Sequence, residues 1–220
     1  MKPVLVISAI ALRSGGTLSV LQDCIRALDT DRYAEWEIVV LCKDKKLIEA
    51  PKTNIRFIEF NGTGFYLRRL FYEFYYFKKL SSKLNPSVWL SLHDISPRVD
   101  ATIQAVYCHN PAPFYRFSWR DLMLDPTFGF FTLLYRYLYS LNIHANDYVV
   151  VQQQWLRDQF AHMYDIDPAK IIVAHPRVEY PAIADNRRTE KCIFIYPALP
   201  RVFKNIEVIG EATRILRKKA

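Results

Sequence analysis

The stretch "VLVISAIALRSGGTLSVLQDCIRAL", residues 4–28, decides the fold. It opens on "VLVISA", a short apolar run with β-branched residues, which predicts a buried strand at 4–9. Two adjacent glycines, Gly15 and Gly16, then mark a turn. Beyond them Leu18, Leu21, Cys24, Ile25 and Leu28 recur at helical spacing and predict a helix over 17–28. Strand, glycine turn and helix in that order make the first unit of a parallel sheet.

The alternation continues along the chain. Short apolar runs at 36–42, 55–60, 87–92, 102–108, 147–152 and 170–174 predict strands. Helical patterns fall at 65–84, 127–145 and 153–163. Nearly continuous apolar strands alternating with helices predict an α/β fold, a doubly wound Rossmann-like parallel sheet with helices on both faces. In such sheets ligands bind in the crevice beyond the carboxyl ends of the strands, so the residues that follow each strand carry the functional argument.

The bulk composition agrees. The 220 residues are 51% hydrophobic and 24% charged, enough apolar material for a full core. The net charge of +8 points to an anionic partner. No zinc-finger spacing or RGG tract favours nucleic acid. Cys24, Cys42, Cys108 and Cys192 form no CxxC and sit in apolar runs, as reduced thiols of a cytoplasmic protein do. No signal peptide is evident. The longest apolar helical run, "FGFFTLLYRYLYSL", contains Arg136 and is shorter than the roughly 20 residues of a membrane span.

The pattern breaks at "AHPRVEYPAIADNRRTEK", residues 174–191, which reads as a linker. "CIFIYPAL" then predicts a renewed strand, and "KNIEVIGEATRILRKK" a helix with Ile206, Ile209 and Leu216 on one face. One strand and one helix cannot bury a core alone. The expected division is a first domain at 1–180, a linker at 181–190, and at 191–220 the opening strand–helix unit of a second Rossmann-like domain.

Candidate site residues lie after the strands. Gly15 and Gly16 permit close backbone approach to a phosphate at a helix N-terminus; the plainer reading is a turn with Thr17 as N-cap. His93 and Asp94 follow the fourth strand run. As neighbours on extended chain they point apart, so they line the cleft separately or serve local loop hydrogen bonds. "CHNPAPF" presents His109 and Asn110 on a loop stiffened by two prolines; the alternative is a capped core histidine. Arg201 and Lys204, on the renewed strand-to-helix turn, suit a diphosphate or form a solvated basic turn. The helix at 64–84 has a core stripe of Leu67, Leu70, Phe71, Phe74, Phe77 and Leu84. Its second stripe, Tyr66, Arg69, Tyr72, Tyr76, Lys79 and Lys83, suits an anionic membrane surface or is a solvated face.

Taken together these motifs resemble the GT-B glycosyltransferases and, among them, glycosyltransferase family 4. The resemblance rests on Gly15–Gly16, the "CHNP" loop with His109, "VVVQQQWLRDQF" at 149–160, "KIIVAHPRVE", and "FIYPALPRVFKN". It implies two Rossmann-like domains facing across a cleft, the first binding the acceptor and the second the nucleotide-sugar donor. It implies metal-independent, retaining transfer with no cofactor. It places Gly15 and Gly16 near the donor diphosphate and acceptor, His109 against the donor sugar, and Lys204 on the leaving diphosphate. The family often carries a Gly-Arg pair before that lysine; Ala198 and Leu199 stand there, with Arg201 as a displaced charge. The family's paired glutamates, late in the second domain, are absent, and Glu207 and Glu211 are not their equivalents.

The expected function is therefore transfer of a sugar from a nucleotide-diphosphate sugar to a glycan or lipid-linked acceptor. The setting is surface polysaccharide or lipopolysaccharide synthesis at the inner face of the cytoplasmic membrane. With most of the donor site missing, the 220 residues alone are expected to turn over little substrate. The alternative is a non-catalytic acceptor- or membrane-binding module working with a partner chain. A nicotinamide-dependent oxidoreductase ranks behind both, since no GxGxxG follows the first strand.

Overall fold

Seven of the apolar runs pair into one sheet, because strands buried on both faces need a hydrogen-bonded neighbour on each side. They are β1 (Val4–Ala9), β2 (Glu37–Cys42), β3 (Ile55–Glu59), β4 (Val88–Ser91), β5 (Ile103–Cys108), β6 (Tyr148–Val151) and β7 (Ile171–Val173). The order is β3-β2-β1-β4-β5-β6-β7, and every pair is parallel. This is the expected Rossmann-like α/β sheet. It comes from a computed structural model that describes residues 2–51, 53, 55–60, 66–116, 119–176, 193, 195–198 and 204–219.

The helices are α1 (Gly15–Leu28), α2 (Tyr66–Phe71), α3 (Phe77–Leu84), α4 (Trp119–Leu124), α5 (Pro126–Ser140), α6 (Gln154–Tyr164) and α7 (Glu207–Lys219). On one face of the sheet Ile7, Ala9, Ile38, Val40 and Cys42 pack with Leu21 and Ile25 of α1. On the other, Val6, Val39, Leu41 and Trp89 pack with Phe77 of α3 and with Phe60. Burying a side chain such as Phe77 contributes about 2–3 kcal/mol. Cys42 and Cys108 are buried and Cys24 is partly so; all three are free thiols. Burial pushes the thiols of Cys24 and Cys42 up to about 11, so both stay protonated and unreactive. Cys192 lies outside the described residues.

The first helix starts two residues before its expected place. Gly15 takes φ +66, a left-handed value that glycine adopts at little cost, and the helix begins there. Ser14 occupies the cap position. Thr17 lies inside the first turn, where its hydroxyl donates to the Ser14 carbonyl at 3.2 Å, so it is not the N-cap.

The helix at 66–84 corrects the assignment of its faces. Leu67 is 81% exposed and Phe71 52%, although helical spacing puts both in the core stripe. Arg69, expected on a membrane-facing stripe, is buried, and Tyr72 is half-buried with its ring edge on Phe60 at 5.1 Å. The reason is a π turn at Tyr72–Tyr76, joining α2 to α3. Its i→i+5 bonding widens the turn and shifts the phase, so a 3.6-residue period cannot be carried through it. The buried positions are Arg69, Glu73, Phe77 and Ser81, at four-residue steps. Tyr76, Lys79 and Lys83 remain exposed; the Tyr66 side chain lies outside the described residues.

The chain divides into two compact units, residues 1–114 with 133–176, and residues 115–132 with 177–220. The first holds the sheet. In the second, the described residues of the expected strand, Ile193 and 195–198, are not in a strand. The helix expected after it is present as α7. The expected linker at 181–190 lies outside the described residues.

Candidate functional site

The strand order reverses between β1 and β4. From β1 the chain winds outward through β2 and β3, then returns to the other side of β1 and winds through β4 to β7. The crevice of a doubly wound sheet opens at such a reversal, at the carboxyl ends of the strands. Gly15–Gly16 follow β1, His93–Asp94 follow β4, and His109–Asn110 follow β5.

His93 and Asp94 point apart, each into its own network. His93 is buried beneath the crevice, so it does not line it. Its Nε2 lies 3.0 Å from the Ser8 hydroxyl, which is buried on β1. An Arg69 NH2 group donates to His93 Nδ1 at 3.0 Å and to the His93 carbonyl at 2.6 Å. Arginine can only donate, so Nδ1 is the bare nitrogen and Nε2 carries the proton toward Ser8. Burial, then the charge of Arg69, hold His93 well below the usual imidazole range, and the ring is neutral.

Glu73 completes this cluster. Its Oε1 lies 3.6 Å from Arg69 Nε and 3.3 Å from His93 Nδ1. Neither separation is accompanied by a hydrogen bond to the carboxyl, which is fully buried. Burial pushes Glu73 up to about 8, against the pull of Arg69, so it holds its proton at neutral pH. The π turn carries this carboxyl inward.

Asp94 supports the His109 loop. It sits at φ +67, a left-handed conformation that Asp adopts more readily than most residues. Its Oδ1 accepts the backbone N–H of His109 at 2.9 Å and of Asn110 at 3.3 Å, and the Tyr139 hydroxyl at 2.7 Å. The same hydroxyl reaches the Asn110 carbonyl at 3.1 Å. Burial, then the Asp94 charge, push Tyr139 well above the usual phenol range, so it stays a donor. His109 stacks on Tyr107 with ring centroids 5.9 Å apart, and Gln152 Nε2 donates to the Tyr107 hydroxyl at 2.7 Å. The Asn110 side chain accepts from Ala112 N at 3.0 Å, which closes the loop's first turn.

A Cβ added at Gly15 or Gly16 would meet nothing within 4 Å. Packing does not require either glycine; the backbone of Gly15 does. Open space there leaves room for a ligand to approach the amides. Lys204 is exposed in the second unit, just before α7, and Arg201 lies outside the described residues. A groove of about 280 Å³ beside α1, lined by Ile25, Arg26, Asp29 and Glu49 among others, shares no residue with these networks. Among the described residues no three His, Cys, Asp or Glu side chains gather to hold a metal ion, and no helix is long and apolar enough to cross a membrane.

Sequence reasoning missed Ser8, Glu73, Tyr107, Tyr139 and Gln152. Gln152 follows β6 directly, so the strand-end rule reaches it. Glu73 carried a signal too, as an acid four residues after an arginine within an aromatic helix. Tyr139 carried none, because it meets Asp94 across 45 residues of chain.

No family model matches the sequence, and neither does any curated protein. Among solved structures the chain is similar to the apo form of lipopolysaccharide outer core galactosyltransferase WaaB, with a TM-score of 0.52 at 13% identity. The match covers 82% of this chain and 47% of that one, so the chain spans about half of its structural neighbour. At that identity the likeness is one of fold: the Rossmann-like parallel sheet is of the kind a glycosyltransferase carries.

Proposed function

We propose that this chain is the acceptor-side part of a GT-B glycosyltransferase of the family 4 kind, retaining and metal-independent. It takes part in transfer of a sugar from a nucleotide-diphosphate sugar to a glycan or lipid-linked acceptor of surface polysaccharide or lipopolysaccharide. One observation carries the reading. The open Gly15–Gly16 turn and the braced His109–Asn110 loop follow β1 and β5, the two strands that flank β4, beside the switch point of a sheet with a galactosyltransferase-like fold. The amides at the start of α1 suit a phosphate. His109 suits a sugar hydroxyl, and Lys204 with Arg201 suits the leaving diphosphate.

Calorimetric titration with UDP-galactose and with oligosaccharide acceptors tests this. Binding of either, weakened about tenfold or more by His109→Ala or Gly16→Val, is expected. Absence of binding to both classes, or binding indifferent to both substitutions, overturns it.

A second reading is a peripheral membrane- or acceptor-binding module acting with a partner chain. It is favoured by the exposed Leu67, Phe71 and Tyr75 beside exposed Arg68, Lys79 and Lys83. Co-sedimentation with anionic vesicles should fall when Lys79 and Lys83 become Glu; unchanged binding removes the electrostatic part of the idea.

A further inference from the structure

We propose that Asp94 is a positioning residue that sets the proton on His109. Resting on the transferase reading, it makes His109 an acceptor for a ligand hydroxyl. His109 Nδ1 is buried and lies 3.3 Å from Asp94 Oδ1. The pair is not aligned as a hydrogen bond, but a carboxylate oxygen this close attracts a proton and repels a lone pair, and poorly aligned contacts of this kind tighten when a ligand binds. A carboxylate oxygen can only accept, so the proton of the neutral ring belongs on Nδ1. Nε2 then carries the lone pair. It makes no hydrogen bond among the described residues, and the ring is 21% exposed.

Three further contacts make Asp94 a brace for the whole loop. The His109 and Asn110 amides converge on the same Oδ1, and Tyr139 donates to it from α5. The oxygen therefore cannot turn away without releasing three donors. Tyr107 limits the ring from one face, and Gln152 anchors Tyr107. Position and tautomer are thus fixed by one atom. The arrangement contrasts with His93, where Arg69 forces the opposite tautomer. A ring with a bare Nε2 accepts from a hydroxyl donor such as a sugar O–H; it does not serve an alkoxide or phosphate oxygen.

The test is a long-range ¹H–¹⁵N spectrum of the ¹⁵N-histidine-labelled 220-residue chain at about pH 9, well above the free imidazole range. His109 signals are identified by their loss in His109→Gln. The Nδ1–H form is expected in the wild type, and finding the Nε2–H form overturns the proposal without any variant. Asp94→Gly tolerates the left-handed backbone and removes the carboxylate. It should shift the tautomer ratio about tenfold toward Nε2–H, a modest share of the attraction between a charge and an N–H a few ångströms away inside a protein. Asp94→Asn keeps an acceptor oxygen and should fall between the two. An unchanged ratio in Asp94→Gly overturns the proposal. Adding UDP-galactose and, separately, oligosaccharide acceptors distinguishes the two readings: an Nδ1–H ring whose Nε2 resonance neither class moves supports the role of Asp94 and counts against the transferase.

Discussion

His93 and Asp94 are neighbours in sequence and belong to opposite regions of the molecule. His93 faces inward to a sealed cluster of Ser8, Arg69 and Glu73. Asp94 faces the loop at the crevice, with His109, Asn110 and Tyr139. Both regions use a histidine beside an acid, and their physics differ. In the sealed cluster the carboxyl has no hydrogen bond and keeps its proton; at the loop one carboxylate oxygen gathers several donors. A buried acid short of partners is neutralised, whereas a buried acid with many donors organises what surrounds it. The sealed cluster should therefore govern stability, and the loop network should govern the state of His109.

Removing the sealed cation should break this comparison most visibly. Arg69→Met strips the donor from the His93 carbonyl and Nδ1 and is expected to cost about 3 kcal/mol in urea unfolding. His109 resonances should hardly move; a large change in the His109 tautomer would mean that the two networks are one.

The pH dependence comes next. Native Glu73 holds its proton up to about 8, while an unfolded carboxyl is ionised well below that. The unfolded state then binds fewer protons, so stability falls as pH rises through this window and levels off above it. Between about pH 6.5 and 8, Glu73→Gln should gain about 2 kcal/mol on the wild type, at roughly 1.4 kcal/mol per unit. Below about 6.5 the depressed His93 acts in the other direction, since the unfolded ring takes up a proton that the native ring refuses. Parallel stability curves for wild type and Glu73→Gln would show that Glu73 is ionised in the fold.

On the loop side, Tyr139→Phe should cost about 1 kcal/mol and leave His109 as Nδ1–H, because two amides still hold Asp94. Loss of the tautomer would make Tyr139, not Asp94, the determinant. Smallest are the glycines. Gly15→Ala should cost about 1 kcal/mol for its left-handed φ. Gly16→Ala should change thermal stability by less than about 0.5 kcal/mol, since its Cβ enters open space. Equal costs at both would place strain where the backbone shows none.

Much of the scaffold was legible. Continuous apolar runs such as "EIVVLC" can be buried on both faces only in a covered parallel sheet, and seven of the runs became strands within a residue or two. The strand-end rule also reached Gly15, His93, Asp94 and His109. The helix at 66–84 defeated the reading of faces, because a π turn changes the period inside an element whose pattern is read by period. The run beginning at Cys192 also departed from the reading: its described residues, Ile193 and 195–198, are not in a strand.

Local pattern and burial are enough to specify the layered sheet, its helices and the loops that leave its carboxyl edge, and both are written in the order of the residues. Which of two adjacent residues is sealed and which braces the crevice was settled only by the folded chain. Arg69, Glu73 and Tyr139 arrive from distant helices, and a proton's place on a histidine ring depends on those neighbours.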